Sequence, residues 1–405
     1  MKIGIMTNFN RPTRLAELTA IICKYYDIEV IYLRPRDVNI EEDKVRGKVL
    51  VNNSWLSIET EIPPFIDIAP YCYKRKNQEI TTYLRNKTFL SDNRDNVLSK
   101  QKLQDKLKST VEFSDIVIPT QKIYSINDII DFLDKYTKVV MKPTNGIRGR
   151  GVYVLEKKNE CYYLGYQKES VTLTYKELED FFQENIKDRG FILQKHISSR
   201  TVQGDPFDCR VHVEKNQDGE WTSAKNYIRI GIGQKVISNV NQGGGISELV
   251  PFLKSNFEDE WENIVKKINE LSVTLPRKVE ELRNTHIMSL GLDIGIDENG
   301  SLYLFEVNDG PATATLTSEV AVLRSSYYKY ILENCINTSE KYSTDREVIK
   351  KDYLIIEKKL NDYMKKNYEL ENQLNYYKKK YLSIENSTSW FITKPVRWLG
   401  SFKKK

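Results

Sequence analysis

Gly291-Leu-Asp293-Ile-Gly-Ile-Asp-Glu-Asn299-Gly300-Ser-Leu-Tyr-Leu-Phe-Glu306-Val-Asn308 is the stretch that decides the fold. Asn-Gly between two alternating apolar runs is the strongest short-range signal for a β-hairpin with a two-residue turn. With Asn299 and Gly300 at the tip, Asp293 and Glu306 lie equally far from the turn and face each other across the strands. Glu306 and Asn308, two apart, share a face. Two carboxylates and an amide then converge on one face, while Ile294, Ile296, Tyr303, Phe305 and Val307 go to the other. Like charges directly opposed weaken a sheet. A Mg²⁺ site gains from them, because that ion takes hard oxygen ligands from few protein groups and completes its shell with phosphate and water. Asp293, Glu306 and Asn308 are therefore the candidate metal ligands.

Upstream, Val139-Val-Met-Lys142 is an apolar strand that delivers a lysine into Pro-Thr-Asn-Gly146-Ile-Arg148-Gly149-Arg-Gly151, after which a new strand starts. Glycines let backbone N–H groups approach phosphate oxygens, and such loops make anion-binding concavities. The loop joins two strands and no G-K-[ST] follows, so it is not a Walker A loop. Phe191-Ile-Leu-Gln194-Lys195-His-Ile197 is an apolar strand ending in polar residues. Phe207-Asp208-Cys-Arg210-Val-His212-Val-Glu214 carries Asp208, Arg210 and His212 on one face, as any half-exposed strand does. Ser238-Asn239-Val-Asn-Gln-Gly243-Gly-Gly245 is a polar glycine cluster suited to an anion or a substrate.

In this order, the segments from about Asn93 to Ala314 resemble the ATP-grasp superfamily, most closely its YheC/YheD-like, endospore-coat-associated group. The resemblance implies an α+β ATP-grasp fold in which two subdomains grip ATP. It implies that Lys142 meets the α- and β-phosphates, that Gly146, Arg148, Gly149 and Gly151 belong to the loop closing over them, and that Gln194, Lys195 and Ile197 form the adenine hinge. Arg210 is implied on the γ-phosphate and Asp293, Glu306 and Asn308 on Mg²⁺. Asp208 is implied to orient Arg210 or to contact the nucleotide. Lys100 resembles the family's first phosphate-directed lysine, with Lys102 competing for that role. Gln194 departs from the glutamate that many relatives carry in the hinge.

The resemblance implies carboxylate activation, in which ATP phosphorylates a carboxylate and an amine attacks the acyl phosphate. Catalysis would then be positioning and charge neutralisation by Mg²⁺, Lys142 and Arg210. That suits a chain with no Ser-His-Asp or Cys-His arrangement. Arg148, Arg229 and Asn239 are candidates to hold the carboxylate substrate, since arginine recognises carboxylates bidentately. Two alternatives share the nucleotide half: a phosphotransferase on a small-molecule or glycan acceptor, and an assembly protein that binds ATP without turnover. Product analysis separates the first, and the intact Lys142, Arg210 and Asp293/Glu306/Asn308 set opposes the second.

The remaining sequence bounds these readings. At about 150 residues per domain, 405 residues make two to three domains, and 40% hydrophobic with 29% charged residues is the composition of a folded protein. Net charge is +6, but residues 345–405 hold 15 basic and 8 acidic residues, leaving the rest at −1. A neutral body is not one that reads a nucleic-acid backbone. Five scattered cysteines without a C-x-x-C pair suggest reduced thiols, and three scattered histidines suggest no histidine metal site. No signal peptide or run of about 20 apolar residues is evident, so a cytoplasmic protein is expected.

Residues 1–90 open as β-α-β, with Lys2–Thr7, Thr13–Tyr26 and Ile28–Leu33, and are expected to form an N-terminal α/β, pre-ATP-grasp-like domain on a parallel sheet. The first loop is not G-x-G-x-x-G. Residues 91–336 form the ATP-grasp domain and 337–344 a polar linker. Within 345–386, apolar positions recur as Tyr353, Leu360, Asn367, Leu374, Tyr381 and as Ile356, Tyr363, Leu370, Tyr377, Ile384, the pattern of a coiled coil. A single Asn in the first series favours a parallel homodimer. Residues 387–405 interleave Trp390, Phe391, Trp398 and Phe402 with basic residues, which suits a membrane interface. Ser389-Trp390-Phe-Ile-Thr393-Lys-Pro395-Val-Arg397 resembles the Ser-Trp-x-x-Thr-x-Pro-x-Arg tail of bacterial surface-polysaccharide glycosyltransferases. A glycan substrate, contact with a glycan-synthesis enzyme and a peripheral position on the inner membrane face are expectations from that tail.

Overall fold

A computed structural model describes residues 1–94, 96–144, 151–166, 169–231 and 244–336, together with Gln373, Tyr376, Lys380 and Ser383. Residues up to Thr338 form one compact unit. The four isolated positions are helical and exposed. The coiled-coil pairing and the aromatic-basic tail lie outside the described residues.

The chain begins with β1 (Lys2–Met6), α1 (Arg14–Tyr25) and β2 (Glu29–Leu33), close to the expected bounds. Thr13 caps α1 by accepting from the Ala16 amide, satisfying one orphan N–H of the first turn. β3 (Val38–Asn39), β4 (Lys44–Val51), β5 (Ser54–Glu61), β6 (Phe65–Ile68), α2 (Gln78–Lys87) and β7 (Phe89–Leu90) complete a seven-stranded sheet ordered β3-β4-β2-β1-β6-β7, with β5 on β4. The expected parallel sheet is mixed. β1, β2, β6 and β7 run parallel, whereas β4 is antiparallel to its neighbours. Asn52 and Asn53, at φ 47° and 61°, make the tight β4–β5 turn, the conformation that matches hairpin twist.

α3 (Lys100–Lys108), capped by Ser99, leads to a six-stranded sheet. Its strands are β8 (Thr120–Lys122), β9 (Lys138–Pro143), β10 (Tyr153–Lys158), β11 (Cys161–Tyr166), β12 (Glu169–Leu173) and β13 (Phe191–Lys195), in the order β12-β11-β10-β9-β13-β8. One face packs Val139, Met141, Leu155 and Leu193 under α4 (Ile126–Tyr136) and α5 (Tyr175–Phe181). Alternation leaves Val140, Lys142, Ile192 and Gln194 on the other.

The third sheet, of five strands, is ordered β16-β15-β14-β17-β18: β14 (Phe207–Lys215), β15 (Trp221–Ile230), β16 (Gly245–Glu248), β17 (Ser289–Ile296) and β18 (Leu302–Asn308). α6 (Leu249–Asn256) and α7 (Trp261–Arg283) cover its apolar face, where Cys209, Val211, Val213, Leu292 and Ile294 are buried. Asp208, Arg210, His212, Glu214 and Asp293 lie on the opposite face.

α8 (Thr317–Ile331) returns to pack Tyr327, Tyr328 and Ile331 with α1 against the first sheet. Its Arg324 joins the sheets. Arg324 donates to both Glu214 oxygens, at 3.2 and 3.1 Å, and to Asp67 Oδ2 at 3.0 Å, where Tyr328 also donates at 2.6 Å. Burial alone would raise the Glu214 carboxyl, yet Arg324 and His212 hold it below its ordinary value. Removing one member of such a buried network leaves uncompensated charge, costing roughly 3–5 kcal/mol.

Candidate active site

The expected hairpin is present, and Asp293 faces Glu306. The turn that produces this register differs from expectation. Asp297 N donates to the Ser301 carbonyl at 3.1 Å, closing a three-residue loop of Glu298, Asn299 and Gly300. Gly300 sits at φ 73°, which a residue without Cβ adopts at no cost. Leu302 and Leu304 thus pair one residue out of the expected register, with Ile296 and Ile294. A bulge at Phe305 restores the register, so Phe305 and Glu306 together oppose Asp293. The two departures cancel at Glu306 but not between. Leu302 and Leu304 occupy the core, and Phe305 lies over Gly295, where a Cβ would stand 2.2 Å from the ring.

Across the third sheet, Arg210 on β14 faces Asp293 on β17, and Asp208 faces Arg229 on β15. Arg210 clamps Asp293 bidentately through Nε and Nη2, at 2.5 and 3.1 Å. Arg229 clamps Asp208 at 2.6 and 2.7 Å and reaches Asp293 Oδ2 at 3.0 Å. Burial would raise the Asp293 carboxyl, but the two arginines hold it below the usual carboxylate range. Asp208 thus takes Arg229, with Arg210 held by Asp293, and Arg229 is already engaged by protein carboxylates. Gly291 lets this packing close: a Cβ there would lie 2.8 Å from Pro311 and 3.4 Å from Arg210 Nη1.

Lys142 enters from the second sheet and bridges to the third. Its Nζ donates to Gln194 Oε1 at 2.7 Å and to the Phe305 carbonyl at 3.4 Å. Gln194 Nε2 donates in turn to Thr120 Oγ1 at 3.1 Å, so Gln194 is an orienting partner for the lysine. Burial, then the nearby Lys100, push the Lys142 ammonium down to about 8. Lys100, at the first turn of α3, stands 3.1 Å from Glu306 Oε1, while Lys102 is exposed. Lys195 points to the opposite side of β13 from Gln194, toward the Tyr136 ring, and its amide donates to the Pro119 carbonyl. Ile197, half-buried, follows the strand. Gly151 takes φ 73° at the entry to β10. Gly146, Arg148, Gly149 and Asn239 lie outside the described residues.

The structure therefore brings together Lys100, Lys142, Arg210, Arg229, Asp208, Asp293, Glu306 and Asn308. Four cations against three carboxylates leave a surplus of positive charge, which suits a polyphosphate. Asn308 Nδ2 donates to Asp293 Oδ2 at 3.1 Å, which leaves the amide oxygen available to a cation. With Glu306 and Asp293, whose oxygens are held by Arg210, Arg229 and Asn308, this is an all-oxygen donor set beside a cluster of cations, the chemistry that fits Mg²⁺. Sequence reasoning missed Thr120, and also Asp309, which Arg94 and Arg283 hold at 2.5 and 2.9 Å, fixing the chain just beyond Asn308. Neither carries a pattern of its own in the sequence; each follows only from strand neighbours or chain return.

The profile of YheC/D-like ATP-grasp proteins matches residues 90–337. The chain belongs to this family. Among curated proteins, this ATP-grasp chain is similar to the endospore coat-associated proteins YheD and YheC of Bacillus subtilis (strain 168). It is 26% identical to YheD over 332 residues, covering 75% of this chain and 70% of YheD. It is 24% identical to YheC over 324 residues, covering 76% and 88%. Among solved structures it is similar to D-cycloserine synthetase DcsG, with a TM-score of 0.48 and 12% identity, over 81% of this chain and all of that one. The protein is an ATP-grasp enzyme, and ATP with Mg²⁺ is the family's general requirement. Among the described residues no helix is long and apolar enough to cross a membrane.

Proposed function

We propose that this enzyme is an ATP-dependent carboxylate–amine ligase acting through an acyl phosphate. The observation that carries the reading is the convergence of Lys100, Lys142 and Arg210 on the Asp293–Glu306–Asn308 row. These groups position and neutralise phosphates, and the reaction calls for no side-chain nucleophile. The γ-phosphoryl passes from ATP to a carboxylate oxygen, releasing ADP; the amine then displaces phosphate and forms the amide. Lys142, held by Gln194, and Lys100 neutralise phosphate oxygens, and Arg210, braced by Asp293, meets the transferring group. Bound Mg²⁺ would be held by Asp293, Glu306 and Asn308 and would supply charge neutralisation between phosphates. We further propose an acceptor from a bacterial cell-surface glycan or its precursor, at the inner membrane face, which the Trp390–Arg397 sequence supports.

Two measurements test the reading. Glu306→Gln should weaken Mg²⁺-dependent binding of an ATP analogue by about tenfold or more and abolish turnover, with an unchanged melting temperature. Wild-type turnover in that variant at saturating Mg²⁺ refutes the metal assignment. Product analysis with candidate glycan acceptors should give ADP, phosphate and an amide; a stable phosphorylated acceptor instead establishes a kinase.

A further inference from the structure

β18 is the edge of the third sheet, and its last ladder pair is Asn308 with Gly291. Among the described residues no strand pairs with the chain beyond that point. Asn308 therefore owes its place to whatever anchors the residues after it. Each of the next three is pinned by a different element. Asp309 is held by two arginines. Gly310 lies against Pro70, where a Cβ would stand 3.1 Å from the ring, and Pro311 lies against Gly291.

The hold on Asp309 is the charged one. Arg283, buried as the last residue of α7, is bidentate to it: Nη1 stands 2.9 Å from Oδ1, and Nη2 donates to Oδ2 at 3.0 Å. Arg94 Nη1 donates to Oδ2 at 2.5 Å. Arg94 is itself placed by Asp92, whose Oδ1 accepts from the Arg94 amide at 2.6 Å. Its backbone sits at φ 57°, the left-handed region that costs a residue with a Cβ. Strain of this kind persists only where the surroundings over-determine it, and it clusters at functional sites. Two carboxylates, Asp92 and Asp309, balance the two arginines, so no charge is left over for a ligand of their own. What the group does reach is the metal row, and the segment before α3 meets that row twice. Arg94 holds the residue after Asn308, and Lys100 stands 3.1 Å from Glu306.

We propose that Asp309 is a positioning residue for the candidate Mg²⁺ site, held in place by Arg94 and Arg283. Both of its oxygens are taken by the arginines, so it acts through its neighbours and is not itself a ligand. By fixing the end of β18 it keeps the Asn308 amide oxygen and the Glu306 carboxylate at one spacing. Groups that orient metal ligands in this way are worth roughly 10–100-fold in metal affinity. The inference rests on the metal reading of Asp293, Glu306 and Asn308, and it serves a ligase or a kinase equally.

The test is calorimetric titration of the full chain with a non-hydrolysable ATP analogue, repeated at stepped free Mg²⁺ concentrations and in EDTA. It reads the midpoint of the metal dependence without turnover. Asp309→Asn should raise that midpoint about tenfold and Arg94→Gln about fivefold, while Arg94→Lys, which keeps the charge, should stay within about twofold of wild type. Analogue affinity in EDTA should be the same in all of them. Arg94→Gln decides the matter even where Asp309→Asn folds poorly, because Arg283 still compensates Asp309 there. An equal loss of affinity with and without Mg²⁺ would leave the group a merely structural role and overturn the proposal. So would an unmoved midpoint in Arg94→Gln beside a raised one in Glu306→Gln. A midpoint that Glu306→Gln itself leaves in place overturns the metal reading, and this inference with it.

Discussion

At the scale of single residues, Lys142 shows how burial sets chemistry. Two neutral acceptors, Gln194 Oε1 and the Phe305 carbonyl, hold its ammonium, and burial brings it down to about 8. In the proposed role, the charged form is the one that meets phosphate. Raising the pH through that value removes the charge, so affinity for an ATP analogue should fall as pH rises. Between pH 7 and pH 9 a lone group of this kind loses about tenfold of its charged population. Calorimetry across that range should show a decline of this order, with proton uptake on binding near pH 8.5. Lys142→Met should bind weakly and flatten the profile. An unchanged slope in Lys142→Met would assign the titration to another group.

At the scale of elements, the β17–β18 hairpin marks what the sequence disclosed and what it hid. Register at Asp293 and Glu306 was legible because carboxylates on an otherwise apolar pair of strands have one reasonable place to go. The loop was not, because the Asp297 side chain accepts from the Asn299 and Ser301 amides and draws a third residue into the turn. The bulge was hidden for another reason. Leu302, Tyr303, Leu304 and Phe305 are all apolar, so alternation cannot tell which pair is buried. Gln194 as a lysine partner and Arg229 as a brace for Asp208 were illegible too, since both depend on which strands lie side by side. The bulge places the Phe305 ring on Gly295. Gly295→Ala should therefore cost about 1–3 kcal/mol by overpacking, measured by denaturant unfolding. Combined with Phe305→Ala, the penalty should largely vanish. An equal penalty in both backgrounds would show that the ring does not lie there.

At the scale of the whole molecule, α8 and the turn after it, the last continuous stretch of described residues, bury Tyr328, Ile331 and Leu332 in the first core. A chain cut before Asp345 keeps every residue of that core. The charge distribution motivates what we propose for the removed part. The body is near neutral, whereas residues 345–405 carry +7 and hold the five heptad pairs and the aromatic-basic end. A parallel pairing in register at Asn367 would set both tails on the same side, where two weak interfacial contacts reinforce each other. The full chain should therefore be a dimer by light scattering and should sediment with anionic vesicles at low salt but not at high salt. Cut before Asp345, the chain should be a monomer that binds an ATP analogue as the full chain does and leaves vesicles behind. A truncation that remains dimeric refutes the coiled coil as the dimer contact. A full-length dimer indifferent to anionic lipid would turn the tail from a lipid contact into a docking peptide for a partner enzyme.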